Sequence, residues 1–261
     1  MDTQRSPVLV AHRGYSAAYP ENTLIAIEKA FQCGACFVEF DVQISCDGIP
    51  IVIHDVALLR TTGVQGNVNK LSALEVTAIT AGEPARFGDR FASEKIPTLQ
   101  AMVELLMQWP SRKAFLEIKR ASTDYFSVNQ VMQCVKAVIE PVLHQIIIIS
   151  FDADVLRQAR EIGCTQTGWV FDQWNAGVRE TLVSLEPDYV FVEKACMAEN
   201  NSVMECGSAV SPAAHWQWAV YEVDNAETAL DWANKGVSLV ETNSIGELMQ
   251  HPLLKAQRCC D

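Results

Sequence analysis

The chain has 261 residues and a formal net charge of −12, from 20 Lys plus Arg against 32 Asp plus Glu. Apolar residues make up 49% of it, enough to build a core, which excludes an intrinsically disordered chain. The acidic balance argues against nucleic acid as a partner and against docking on anionic lipid through a polybasic patch.

In chain order, short β-branched runs predict strands at 8–12, 37–44, 114–118, 146–150, 168–171, 189–192, 218–221 and 238–242. Amphipathic patterns predict helices at 23–33, 99–108, 128–140, 154–162, 176–185, 226–233 and 245–254. Asn22-Thr23 after Pro20 reads as a capped helix start, and Gly34, Gly163 and Gly236 stand where helices end. Strand–helix alternation implies a parallel sheet, and eight such units in this length favour a closed (βα)8 TIM barrel. A return strand at 50–54 and a polar, glycine-bearing stretch at about 55–95, with a short helix at 72–79, read as a small insertion after the second strand. No linker or tandem repeat is visible, so one domain is expected over 1–261.

Nine cysteines at irregular spacing, with a polar opening at 1–7 that carries no secretory signal, predict reduced thiols in a cytoplasmic protein. Cys33-Gly-Ala-Cys36 has redox or zinc spacing, but it stands alone and reads better as the join between a helix end and a buried strand. No run approaches the ~20 apolar residues of a membrane span.

In a barrel, chemistry sits at the C-terminal ends of the strands. The first strand ends in His12-Arg13-Gly14. The second carries Glu39 and Asp41, two residues apart and therefore on one face, while Val38, Phe40 and Val42 face the helices. Two carboxylates inside a barrel repel and are poorly solvated, and a divalent cation resolves both problems. The third core strand ends in Glu117-Ile118-Lys119, with Glu117 and Lys119 in phase. His54 follows the return strand. A two-residue Asp47-Gly48 loop sets it opposite Asp41, and a four-residue loop sets it opposite Glu39.

This inventory suits phosphodiester cleavage. Carboxylate oxygens fit Mg²⁺ or Ca²⁺, Arg13 and Lys119 can hold phosphate oxygens, and two histidines can remove and donate protons. His144, His215 and His251 lack carboxylate partners and read as structural. Trp169, Trp174 and Tyr221 stand near strand ends, where they wall either the pocket or the core.

The segments Ala11-His12-Arg13-Gly14, Pro20-Glu21-Asn22-Thr23, Glu39-Phe40-Asp41-Val42, Asp47-Gly48 and His54-Asp55 resemble the glycerophosphodiester phosphodiesterase family. Arg60-Thr61-Thr62-Gly63, Ile96-Pro97-Thr98-Leu99 and Glu117-Ile118-Lys119 continue the match in order, over roughly the first 120 residues. The resemblance implies a TIM barrel with an insertion after the second strand. It implies Mg²⁺ or Ca²⁺ on Glu39, Asp41 and Glu117, an acid–base pair in His12 and His54, and phosphate contacts from Arg13 and Lys119. It also implies glycerol 3-phosphate and an alcohol as products of a small glycerophosphodiester, formed by direct hydrolysis or through a cyclic phosphate. The tail departs from the family's frequent Trp-Thr-Val-Asn and Thr-Asp-x-Pro patterns: it reads Tyr221-Glu222-Val223-Asp224 and Thr242-Asn243-Ser244-Ile245, and Glu222 and Glu241 add acidic residues at the rim. A related enzyme acting on lysophospholipid or phospholipid would be expected to expose an apolar or basic loop, for which only 57–59 is a candidate. A non-catalytic phosphometabolite binder would not need all seven site residues.

Overall fold

The computed structural model describes residues 6–199, 215–255 and 259. Eight parallel strands close into a barrel: β1 (Val8–Ala11), β2 (Phe37–Ile44), β4 (Lys113–Ile118), β5 (Ile146–Ser150), β6 (Thr167–Phe171), β7 (Tyr189–Glu193), β8 (Gln217–Tyr221) and β9 (Leu239–Thr242). β1 pairs with both β2 and β9, which seals the ring. A ninth strand, β3 (Pro50–Val52), runs antiparallel along β2. This is the (βα)8 architecture expected of the alternating sequence. No helix of the described residues is long and apolar enough to cross a membrane.

The alternation along each strand sorts the core into two layers. Val38, Phe40 and Val42 of β2, with Leu116 and Ile118 of β4, join the large apolar cluster beneath the helices. The barrel interior is filled by Val10, Phe115, Ile149, Tyr189, Phe191 and their neighbours. There the Phe115 ring meets Tyr189 and Phe191 edge-on, each at 5.0 Å between centroids. Gly168 of β6 fits only because it lacks a side chain: a Cβ would lie 2.8 Å from Ile149 and 3.1 Å from Phe191. Helix starts are capped as their sequences suggest. Thr23 accepts the Ala26 N–H, Thr98 the Ala101 N–H, and Ser127 forms a capping box with Gln130.

The insertion has its own small core of Ile51, Ile53, Leu58, Val68, Val76, Ala81 and Ile96. Its expected helix at 72–79 is found as Ala73–Ala78, with Ser72 and Glu75 forming the capping box. In the 57–59 segment Leu58 is wholly buried in this core, while Ala57 and Leu59 are exposed, Leu59 at 47%. Two contacts stitch the insertion to the barrel mouth: Glu83 accepts the Glu21 N–H at 2.6 Å, and Arg86 donates to the Ser16 carbonyl at 2.6 Å.

Three expectations need correction. The β2–β3 hairpin pairs Val42 with Val52 and Ile44 with Pro50, so its loop is the five residues Ser45 to Ile49, not two or four. Ser45 Oγ bonds Asp47 and the Ile49 backbone, which widens the turn around Asp47-Gly48. Neither predicted opposition of His54 therefore holds. The thiols are not all reduced: Cys36, just before β2, is bonded to Cys259. Cys33 is free and caps the first helix (Leu24–Gln32), so Cys33-Gly-Ala-Cys36 is a helix–strand join. Cys206 and Cys260 lie outside the described residues. Finally, the last helix runs only Ile245–Leu248 and gives way to turns before 254.

Candidate active site

The strand ends carry His12, Arg13, Glu39, His54, Glu117, Lys119, Tyr221, Glu222 and Glu241 onto one cleft with a cavity of about 110 Å³. All seven predicted site residues gather there, with Asp41 buried directly behind the lining. Glu39, Asp41 and Glu117 each offer an oxygen within 4.8 Å of the others. They converge because β2 and β4 pair in register, Asp41 beside Glu117, with Glu39 one inward position below.

Each carboxylate is held differently. Glu39 Oε2 accepts the Arg13 backbone N–H at 3.0 Å, while its buried Oε1 has no hydrogen-bond partner. Burial, and then the charges of Asp41, Glu241 and Glu117, push the Glu39 carboxyl well above its ordinary range. For Asp41, burial works the same way, but Lys119 at 3.3 Å and Arg13 at 3.2 Å overcome it and hold the carboxyl far below its usual value. Glu117 pairs with Lys119 at 2.7 Å, yet burial still raises its carboxyl. An unpartnered buried oxygen beside two further carboxylates is the donor set a hard dication needs, so these residues fit a divalent cation.

Both histidines turn Nδ1 toward side-chain oxygens, His12 toward Asn243 and, at 3.4 Å, Glu222, and His54 toward Asp55. His12 is buried, with Nδ1 at 3.0 Å from Asn243 Oδ1 and Nε2 at 4.0 Å from Glu39. Burial foremost, and Arg13 beside it, lower the His12 pKa. Asn243 cannot turn over freely: its Nδ2 donates to Glu222 Oε2 at 3.2 Å and to Asp224 Oδ2 at 3.1 Å. His54 is half-buried on the far side and sets Nδ1 at 2.6 Å from Asp55 Oδ1. Asp55 is bound in turn by Arg60, which also reaches Glu21 at 2.7 and 2.8 Å. Glu21 takes Arg13 Nη1 at 2.9 Å, so one buried glutamate aligns two arginines.

Sequence reasoning did not single out Glu21, Asn22, Asp55, Arg60 or Asn243 as site residues. Asn22 and Glu21 stand in a quoted motif but read as a helix start. Asn22 instead has φ +58° and turns its amide onto Asp41, while Thr23 alone caps the helix. Tyr221 lines the cleft, whereas Trp169 and Trp174 pack with Phe171 in the outer layer. His144 is exposed, and His251 serves the Leu253 N–H.

A closed (βα)8 barrel with acidic, basic and imidazole groups converging at the strand ends defines a hydrolase of the TIM-barrel type. The sequence model of the Glycerophosphoryl diester phosphodiesterase family matches residues 12–247. A glycerophosphodiester phosphodiesterase of Caldanaerobacter subterraneus subsp. tengcongensis is 34% identical over 192 residues, covering 70% of this chain and 76% of the relative. An Oleispira antarctica phosphodiesterase, solved in complex with the product sn-glycerol-3-phosphate, superimposes with a TM-score of 0.81 at 25% identity, covering 94% of this chain and 96% of that one. The Thermotoga maritima glycerophosphodiester phosphodiesterase shares the fold with a TM-score of 0.74 at 23% identity, covering 94% of this chain and 97% of that one. The chain belongs to the glycerophosphoryl diester phosphodiesterase family, and it is a phosphoric diester hydrolase.

Proposed function

We propose that the chain hydrolyses small glycerophosphodiesters to glycerol 3-phosphate and an alcohol, with Mg²⁺ or Ca²⁺ held by Glu39, Asp41 and Glu117. The observation that carries this reading is the convergence of those three carboxylates within 4.8 Å on a cleft that also presents His12, His54, Arg13 and Lys119. The Oleispira antarctica relative, bound to sn-glycerol-3-phosphate, supports the choice of substrate class.

When bound, a hard dication supplies charge against the phosphate's non-bridging oxygens and acidifies a nearby hydroxyl. Arg13 and Lys119 add positive charge on the same side and bind the phosphate. Both remain protonated: burial opposes the charge, but Asp41 and its neighbouring carboxylates raise each pKa further.

The hydrogen bonds of the histidines support a division of roles between them. Both amide hydrogens of Asn243 go to carboxylates, so its oxygen faces His12 and accepts Nδ1–H. That leaves Nε2 unprotonated toward Glu39 and the cleft, and its lowered pKa keeps the ring neutral near pH 7. His12 removes the proton of the attacking hydroxyl as the new P–O bond forms. His54 donates Nδ1–H to Asp55, which fixes the ring and turns Nε2 away from that carboxylate. His54 gives its Nε2 proton to the departing alkoxide as the old P–O bond breaks.

The test is release of glycerol 3-phosphate from a glycerophosphodiester by the purified protein with Mg²⁺, with Ca²⁺ and with chelator. Release with cation that chelator abolishes is expected. Release that ignores chelator, or no release from the glycerophosphodiester while lysophospholipid is cleaved to lysophosphatidic acid and its alcohol, overturns the reading.

A further inference from the structure

We propose that Glu83, which stands on the insertion and outside the cleft, is a positioning residue that aims His54 through Glu21, Arg60 and Asp55; this rests on the phosphodiesterase reading above. Glu83 is 2% exposed, yet it does not line the cleft. Its φ is +45°, a left-handed conformation that residues with a side chain seldom adopt. A buried carboxylate on such a backbone needs a reason, and its partners supply one.

Both halves of one ion pair hang from this residue. The Glu83 side chain accepts the Glu21 N–H at 2.6 Å, and the Glu83 N–H donates to the Thr61 carbonyl at 2.9 Å, next to Arg60. Glu21 and Arg60 are the pair: Arg60 Nη1 and Nη2 reach the Glu21 carboxylate at 2.7 and 2.8 Å. Arg60 Nε then donates to Asp55, which holds His54 Nδ1 at 2.6 Å. The other Glu83 oxygen takes Arg86 Nη1 at 2.6 Å, and Arg86 Nη2 grips the Ser16 carbonyl. The insertion thereby clamps the segment between β1 and the first helix at Ser16 and at Glu21. That segment needs clamping. It runs from Arg13 to Asn22, both in the left-handed region, and such backbone persists only where surrounding contacts impose it.

Loss of the clamp does not fall evenly on the site. Arg13 keeps its backbone bond to Glu39, and its Nε lies 3.2 Å from Asp41. Arg60, by contrast, is half-exposed, and two of its three hydrogen bonds among the described residues end on Glu21. When Glu21 shifts, Arg60, Asp55 and His54 shift with it. His54 protonates the departing alkoxide in the reading above, so the step that suffers is departure of the leaving group. A misplacement of ~1 Å there costs about 100-fold.

The test uses Glu83→Gly, which keeps the left-handed backbone and the Thr61 contact but removes the carboxylate. The companion variant is Glu83→Gln, which keeps an oxygen for the Glu21 N–H. Two substrates are compared: glycerophosphocholine, whose alkoxide needs a proton to leave, and the p-nitrophenyl ester of glycerol 3-phosphate, whose phenolate leaves without one. In Glu83→Gly, kcat/KM for glycerophosphocholine should fall about 10–100-fold and that for the p-nitrophenyl diester less than about 3-fold, the pattern of a misplaced acid. Glu83→Gln should recover most of the loss. A merely structural role lowers the amount of working enzyme and takes both substrates down together; equal losses, or no loss, overturn the proposal. Nitrogen resonances of the His54 ring, assigned with His54→Ala, read the same contact without turnover. They should move in Glu83→Gly and return in Glu83→Gln, and unmoved resonances overturn the proposal. If the wild-type protein cleaves neither diester, the phosphodiesterase reading fails and the resonances still decide the role of Glu83.

Discussion

Asn22 holds Asp41 from two sides: its Nδ2 donates to Asp41 Oδ2 at 2.8 Å, and its Oδ1 accepts the Asp41 backbone N–H at 3.0 Å. The second contact fixes the strand and the first aims the carboxylate. Asn22→Gly keeps the left-handed backbone at this position but removes both bonds. It should weaken divalent-cation affinity by about 10–100-fold, the usual cost of losing support behind a ligand. Isothermal titration of Mn²⁺ or Ca²⁺ checks this, and an unchanged isotherm would contradict the role.

Replacing either histidine should mainly lower kcat. His12→Ala and His54→Ala are each expected to cost about 10²–10⁴-fold, the range for a lost general base or acid. As the proposed base His12 acts in its neutral form, and its pKa is lowered, by burial first and Arg13 second. The acid limb of the pH profile for kcat/KM should therefore fall below about 6.5, the ordinary histidine value. A limb above that value would remove His12 as the base.

Cation binding should release protons. The raised carboxyls of Glu39 and Glu117 hold protons to higher pH than ordinary glutamates in the metal-free protein, and those protons must leave when the carboxylates bind. Affinity should thus rise with pH above the ordinary glutamate range, with proton release measurable by calorimetry in buffers of different ionisation enthalpy. Affinity independent of pH would mean that these carboxylates are already ionised or do not bind.

Gly14 ties the site to the fold. It has φ +81°, and an added Cβ would stand 2.6 Å from the Ala26 carbonyl carbon and 2.8 Å from its oxygen, in helix backbone that cannot move aside. Its neighbour Arg13 presents the N–H that holds Glu39. Gly14→Ala should cost about 2 kcal/mol or more in chemical denaturation, well beyond the ~0.5 kcal/mol of an indifferent substitution.

The barrel was legible because its signals are local. Alternation along β2 placed Glu39 and Asp41 inward, and the amphipathic patterns put helix starts at 99 and 128, where the helices begin. What escaped depends on residues far apart in sequence. The Asn243 clamp joins the exit of β8 to the end of β9 and to His12, across 231 residues. The Cys36–Cys259 bond spans 223. His54 reached the cleft although the predicted hairpin register was wrong, because side-chain bonds of Ser45 lengthen the turn and β3 ends before His54. The short helix Arg120–Tyr125 has no capping side chain and follows Lys119 directly, so no start signal marked it.

We propose that Glu39, Asp41 and Glu117 would hold a divalent cation in the cleft that His12 and His54 line. Anomalous diffraction from crystals grown with Mn²⁺ and glycerol 3-phosphate tests it most directly. The account predicts a single strong peak about 2.0–2.4 Å from an oxygen of each carboxylate, with phosphate oxygens on its open side. A peak elsewhere in the barrel, or phosphate bound with no cation among the three carboxylates, would contradict it.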